Sequence, residues 1–279
     1  MRIRFRFSKL GRIRFTSQRD VARMWERALR RASLPLAYTE GFSPRPQLSF
    51  GLALPTGCES LAEYLDVVLD DRRPETAAIE LSSLPTLLSG LLPEGIEVEE
   101  AALFEHKDGS LQQQVTSCSW AMRFSGVTAA ELADRVDRLL ASPSVPILRE
   151  RKGKEELDDL RPSVLAMVVA GDDWGTTDAG PATVGLTADL ATQPRGVRPA
   201  ELVRGLMAMS GPPPGRSPVA PVTLGGDTAG GTGVGTPVLD RACRTQQWIE
   251  RDGIRREPLG RTGDPAGTDR AGHALERAS

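Results

Sequence analysis

Nine arginines fall within the first thirty residues at spacings that fix which way they can point. Arg2, Arg4 and Arg6 alternate with Ile3, Phe5 and Phe7, Arg12 and Arg14 alternate with Ile13 and Phe15, and Arg19, Arg23, Arg27 and Arg30 recur three or four residues apart. Guanidinium groups stay charged and grip phosphate oxygens through paired N–H donors, so the chemistry on offer is anion capture, with a nucleic-acid backbone as the natural ligand. A second candidate is the phrase GFSPRPQ. Pro44 and Pro46 stiffen its backbone and leave Ser43, Arg45 and Gln47 presented for a more selective contact.

Catalytic constellations are not expected. The three cysteines, Cys58, Cys118 and Cys243, are far apart and odd in number, which fits neither a disulfide framework nor a compact metal, redox or iron–sulfur site. Of the two histidines, His106 falls at the junction of the inferred domains and His273 in the tail, so no His-centred triad or zinc site is expected, and neither a metal nor a cofactor is assigned. Glu155, Glu156, Asp158 and Asp159 read as a solvated hairpin, and the glycine-rich GGDTAGGTGVG lacks the Lys-Ser/Thr of a phosphate loop.

The arginines need elements to aim them. Ile3 to Phe7 alternates strictly and is expected as a half-buried strand with its arginines on the solvent face. Ile13 and Phe15 continue the alternation. Thr16 or Ser17 can cap a helix with Asp20 at the capping-box position, and Val21, Met24, Trp25, Ala28, Leu29 and Ala32 give it one apolar side to about Ser33. Its other side is the stripe Arg19, Arg23, Arg27 and Arg30. Strands near 48–54 and 63–69, a helix over 75–91 and a strand over 95–104 follow. That order is the ferredoxin-like βαββαβ plan.

The plan is expected to repeat, with strands at 115–124, 163–170, 183–190 and 238–249, helices at 129–141 and 199–209, and an inserted acidic hairpin over 149–159. The fold class read from the sequence is therefore α+β, as tandem ferredoxin-like domains with antiparallel sheets. Their ranges are 1–106 and 113–259, with a disordered Gly/Pro-rich loop at 210–237 and a disordered tail at 260–279. Net charge is only −2, but residues 1–50 carry twelve Arg or Lys against Asp20, Glu26 and Glu40. The basic segment sits on an acidic remainder, which points to an anionic partner. No run approaches the roughly 20 apolar residues of a membrane span, and the N-terminus lacks the apolar core of a signal peptide, so a cytoplasmic protein is expected.

The segments RIRFTSQRDVARMWERALRR, GFSPRPQLSFGLALPTG and AEYLDVVL together resemble the radical SAM-linked protein family, a bacterial domain of unknown function. The similarity runs on through KGKEELDDLRPSVLAM, VRPAELVRGLM and RTQQWIERDG. In that family the domain occurs fused behind a radical SAM enzyme or as a separate chain, with an RNase E/G-type ribonuclease and ribosomal proteins as common neighbours. The resemblance implies an RNA or translation setting and a partner enzyme, but no reaction. Where a His commonly follows the Ser of the first motif this chain has Gln18, which hydrogen-bonds but cannot titrate. Where another often separates the two prolines, it has Arg45.

The function expected is a non-catalytic RNA-binding or adaptor protein working beside a radical SAM enzyme or a ribonuclease. A protein-docking module of a radical SAM enzyme without RNA contact is the alternative, and an enzyme of unrecognised class is a weaker one.

Overall fold

The computed structural model of the protein describes residues 1–104, 109–151, 153–170, 183–209 and 236–259. His106, His273, the tail and nearly all of the Gly/Pro-rich loop lie outside them. The chain is mixed α/β with a mostly antiparallel sheet. Its described residues divide into two compact units, Met1–Thr116 with 246–259, and Ser117–Thr245. The second expected domain therefore yields its last residues to the first unit.

In the first unit, β1 (Arg2–Lys9), α1 (Gln18–Arg31), β2 (Leu48–Phe50), β3 (Glu59–Val68), α2 (Leu84–Ser89), β4 (Ile96–Leu103) and the short α3 (Leu111–Gln114) follow in order. β1 pairs antiparallel with β3 on one side and β4 on the other, and β2 pairs with β3. The alternation of β1 sends Ile3, Phe5 and Phe7 into a core shared with Val21, Trp25, Ala28 and Leu29 of α1 and Leu84 and Leu88 of α2. Trp25 sits edge-on to Phe7 at 5.0 Å between ring centroids, and burying each large side chain of this face is worth about 1.5–3 kcal/mol. Ser17 caps α1 by accepting the Asp20 backbone N–H. The expected helix over 75–91 is broken into two 3-10 turns and α2, with Pro85 in the first turn of α2, where its missing N–H costs nothing.

The second unit runs β5 (Ser117–Ser125), α4 (Ala129–Ala141), β6 (Pro146–Arg151), β7 (Lys154–Asp159), β8 (Val164–Ala170), β9 (Val184–Ala191), α5 (Pro199–Ala208) and β10 (Val238–Arg251). Strand order is β10-β5-β9-β8, and β6 pairs only with β7, as the expected hairpin. Leu132, Val136 and Leu139 of α4 and Leu202, Val203 and Leu206 of α5 are buried. Gly205 lets α5 come close, since a Cβ there would lie 2.3 Å from Leu160. β10 starts in this unit and ends in the first, where β11 (Ile254–Arg256) folds back on it.

Candidate nucleic-acid interface

The arginines of β1 do not form the expected solvent-facing track. Arg4 is 1% exposed and Arg6 7%, and Arg2 is half-buried. Strand register sets Arg4 directly opposite Asp66. Its Nε and Nη2 donate to the two carboxylate oxygens at 2.6 and 2.8 Å, its Nη1 donates to the Pro258 carbonyl at 2.8 Å, and its guanidinium lies 3.6 Å above the Phe104 ring. Arg6 pairs with Glu99 at 3.2 Å and Glu257 at 3.3 Å. Glu257 also accepts from Gln246 Nε2 at 2.6 Å, and the Tyr64 hydroxyl donates to Gln246 Oε1 at 3.0 Å. Burial pushes that phenol well above its ordinary range. The expectation failed because it left one face of the sheet open, whereas residues 257 and 258 return to this unit and cap it. Asp66, one of three carboxylates in β3 with Glu59 and Glu63, was the legible sign of a buried partner.

The second R-I-R-F is not a strand. Gly11 takes φ +68°, and Gly11–Phe15 winds into a 3-10 turn. Lys9 is buried with its Nζ donating to the Thr16 carbonyl at 2.8 Å, and Arg14 reaches Gly11 O at 3.3 Å and Glu59 at 3.8 Å. Arg12 is exposed. Phe15, which alternation would place in the core, is 51% exposed with the Arg14 guanidinium 4.5 Å over its ring. An exposed aromatic at this position was missed in the sequence, because a period of two was extended through a glycine that ends it.

α1 carries its stripe as expected. Arg19, Arg23, Arg27 and Arg30 are all exposed, opposite the buried Val21, Trp25, Ala28 and Leu29. Arg23 pairs with Asp20 at 3.2 Å and Arg30 with Glu26 at 3.4 Å. Both pairs are solvated and weak. Among the described residues, Arg12, Arg19 and Arg27 have no ionic partner. Gln18 is the half-exposed first residue of the helix.

The GFSPRPQ loop is closed at its base. Thr39 N–H donates to the Arg45 carbonyl at 2.9 Å, Arg45 N–H donates to Thr39 Oγ1 at 3.1 Å, and Gln47 Nε2 donates to the Tyr38 carbonyl at 3.1 Å. Gln47 thus fastens the loop, while Ser43, Arg45 and a fully exposed Phe42 are presented by it. Among the described residues no hydrogen bond or ion pair joins this loop to α1. Arg12 and the helical stripe are exposed cations within one stretch of the chain, and Ser43 and Arg45 are a separate exposed set. All three cysteines are buried, and no group of three or more His, Cys, Asp or Glu among the described residues is arranged to hold a metal.

No curated protein matches the chain. A solved chain from the crystal structure of a Cbf5-Nop10-Gar1 complex aligns at TM-score 0.41 and 8% identity, over 87% of this chain and 49% of that one, so the protein spans about half the length of that solved chain. No helix among the described residues is long and apolar enough to cross a membrane. A family model matches residues 2–196, taking in β1, the 3-10 turn, α1 and the GFSPRPQ loop, and the chain therefore belongs to the family described as uncharacterized protein conserved in bacteria (DUF2344).

Proposed function

We propose that this protein is a non-catalytic, cytoplasmic RNA-binding adaptor that holds a single strand along its exposed arginines. The observation that carries the reading is that Arg12, Arg19 and Arg27 are exposed and lack ionic partners among the described residues, with exposed Phe15 lying between Arg12 and α1 in the chain. Phosphate contacts supply affinity, and an accessible ring offers a stacking face to an unpaired base. Ser43 and Arg45 add a second, more selective contact. The radical SAM enzyme or RNase E/G-type ribonuclease implied by the family resemblance is the partner to which such an adaptor would bring its RNA.

The same reading takes each unit as a ferredoxin-like module. In the first, the order β4-β1-β3-β2 supports it, and in the second β10-β5-β9-β8 does, each with a helix after its first strand and another before its last.

The test is filter binding of the full chain to poly(U) at 50 and 200 mM salt. Five phosphates held by Arg12, Arg19, Arg23, Arg27 and Arg30 give a log–log slope near −3.5, so affinity falls roughly a hundredfold over that interval. Arg19→Glu with Arg27→Glu is expected to abolish retention. No retention at low salt, or retention indifferent to those changes, overturns the reading.

A further inference from the structure

The β6–β7 hairpin has two unlike faces. On one, Ile147 is buried, and Arg149 is 7% exposed and bridges Asp158 at 3.0 Å and Glu201 of α5 at 3.3 Å. Arg195 adds a 3.0 Å ion pair to Asp158, and Arg204 donates to the Leu148 carbonyl at 3.4 Å. These contacts fix the hairpin against the unit that carries it. Alternation then turns Leu148, Glu150, Glu155 and Leu157 to the opposite face.

That face is an unusual one to leave in water. Leu148 and Leu157 are direct cross-strand partners and are 45% and 73% exposed. The next pair along the ladder is Glu150 opposite Glu155, both exposed and without an ionic partner among the described residues. Opposed like charges on adjacent strands repel, and an apolar pair on a two-stranded sheet forgoes burial. One ligand relieves both: a segment that lays an apolar side chain on the leucines and a cation between the glutamates.

We propose that this face is a docking site for a protein segment in which apolar residues alternate with Lys or Arg. Charge complementarity favours this occupant over the others. Nucleic acid and anionic membranes are repelled by Glu150 and Glu155, and a second copy of the hairpin laid face to face would bring four glutamates together. The site is independent of the arginine face on α1, so the adaptor would have one surface for an anion and another for a basic protein.

The probe is a labelled nine-residue peptide alternating Lys and Leu, titrated into the full chain by fluorescence anisotropy, with Glu/Leu and Lys/Ser peptides of equal length beside it. Binding of Lys/Leu alone is expected, with amide NMR shifts centred on 146–159, at least a tenfold loss in Leu157→Ser, and loss of the salt dependence in Glu150→Gln with Glu155→Gln. The glutamine variant keeps the test decisive if the serine variant folds poorly. Equal binding of the Glu/Leu peptide, shifts elsewhere on the chain, or no effect of either variant overturns the proposal. So does dimerisation in sedimentation that Leu157→Ser abolishes, which would make the occupant a second copy.

Discussion

The same four residues, R-I-R-F, occur at 2–5 and at 12–15 and meet opposite fates. In the first copy Arg4 is locked to Asp66 and Phe5 is fully buried, whereas in the second the matching Arg14 keeps only a 3.8 Å pair with Glu59, Arg12 faces solvent and Phe15 is half exposed. Local sequence is identical, so the difference comes from what surrounds it. The first copy lies between two strands and beneath Glu257 and Pro258; the second follows a glycine with positive φ that turns it out of the sheet. Charge count alone therefore does not identify a binding surface: Arg4 and Arg6 have spent their charges on carboxylates of this chain.

The comparison breaks most sharply at Arg4. Arg4→Met leaves Asp66 buried without its partner and is expected to cost about 3–5 kcal/mol, read from the urea midpoint, while Arg4→Met with Asp66→Leu regains most of it. Arg12→Met is expected to stay within about 0.5 kcal/mol. If the two single variants shift the midpoint alike, the distinction between the copies fails.

Next in size is a glycine that packs against the turn parting them. Gly95 sits at φ +88° and accepts from Leu10 N–H at 2.8 Å, and a Cβ there would fall 2.4 Å from the Leu10 carbonyl. Gly95→Ala is expected to cost about 1–3 kcal/mol and to alter the Arg12 and Phe15 surroundings by NMR while leaving the Arg4 pair intact. Ser17→Ala, which removes the α1 cap just beyond the second copy, is expected to cost about 1 kcal/mol in chemical denaturation.

The smallest effect belongs to a surface twin of the buried pair. Arg72 grips Asp70 through the same two-bond fork, at 2.8 and 2.9 Å, but is 90% exposed. The Arg72 hydrogen bonds hold the Asp70 carboxyl down at about 2. A depressed folded value contributes stability above the ordinary carboxylate range, lost as pH falls through that range toward about 2. Carboxyl NMR titration is expected to show Asp70 returning toward its ordinary value in Arg72→Ala, with a loss in the denaturation midpoint at pH 7 far smaller than that of Arg4→Met.

Much of the frame was legible because its signals are local. Ser17, the spacing of Val21, Trp25, Ala28 and Leu29, and the strict alternation of Ile3, Phe5 and Phe7 each specify an element within a few residues, and α4 matches its expected bounds. The stripe on α1 followed from the same periodicity. What escaped was non-local. Nothing near Arg4 or Arg6 announces Glu257 and Pro258, and the end of β10 reads equally well as a closing strand for the second domain. Gln47 looked like a presented side chain, but its amide reaches nine residues back to fasten the loop.

The Arg4 to Pro258 hydrogen bond spans 254 residues. During synthesis at about 5–20 residues per second, the N-terminal strand therefore waits roughly 13–50 s before its cap exists. Until then Arg4 and Arg6 stand open on a nascent sheet, because β1 is made long before the residues that cover it.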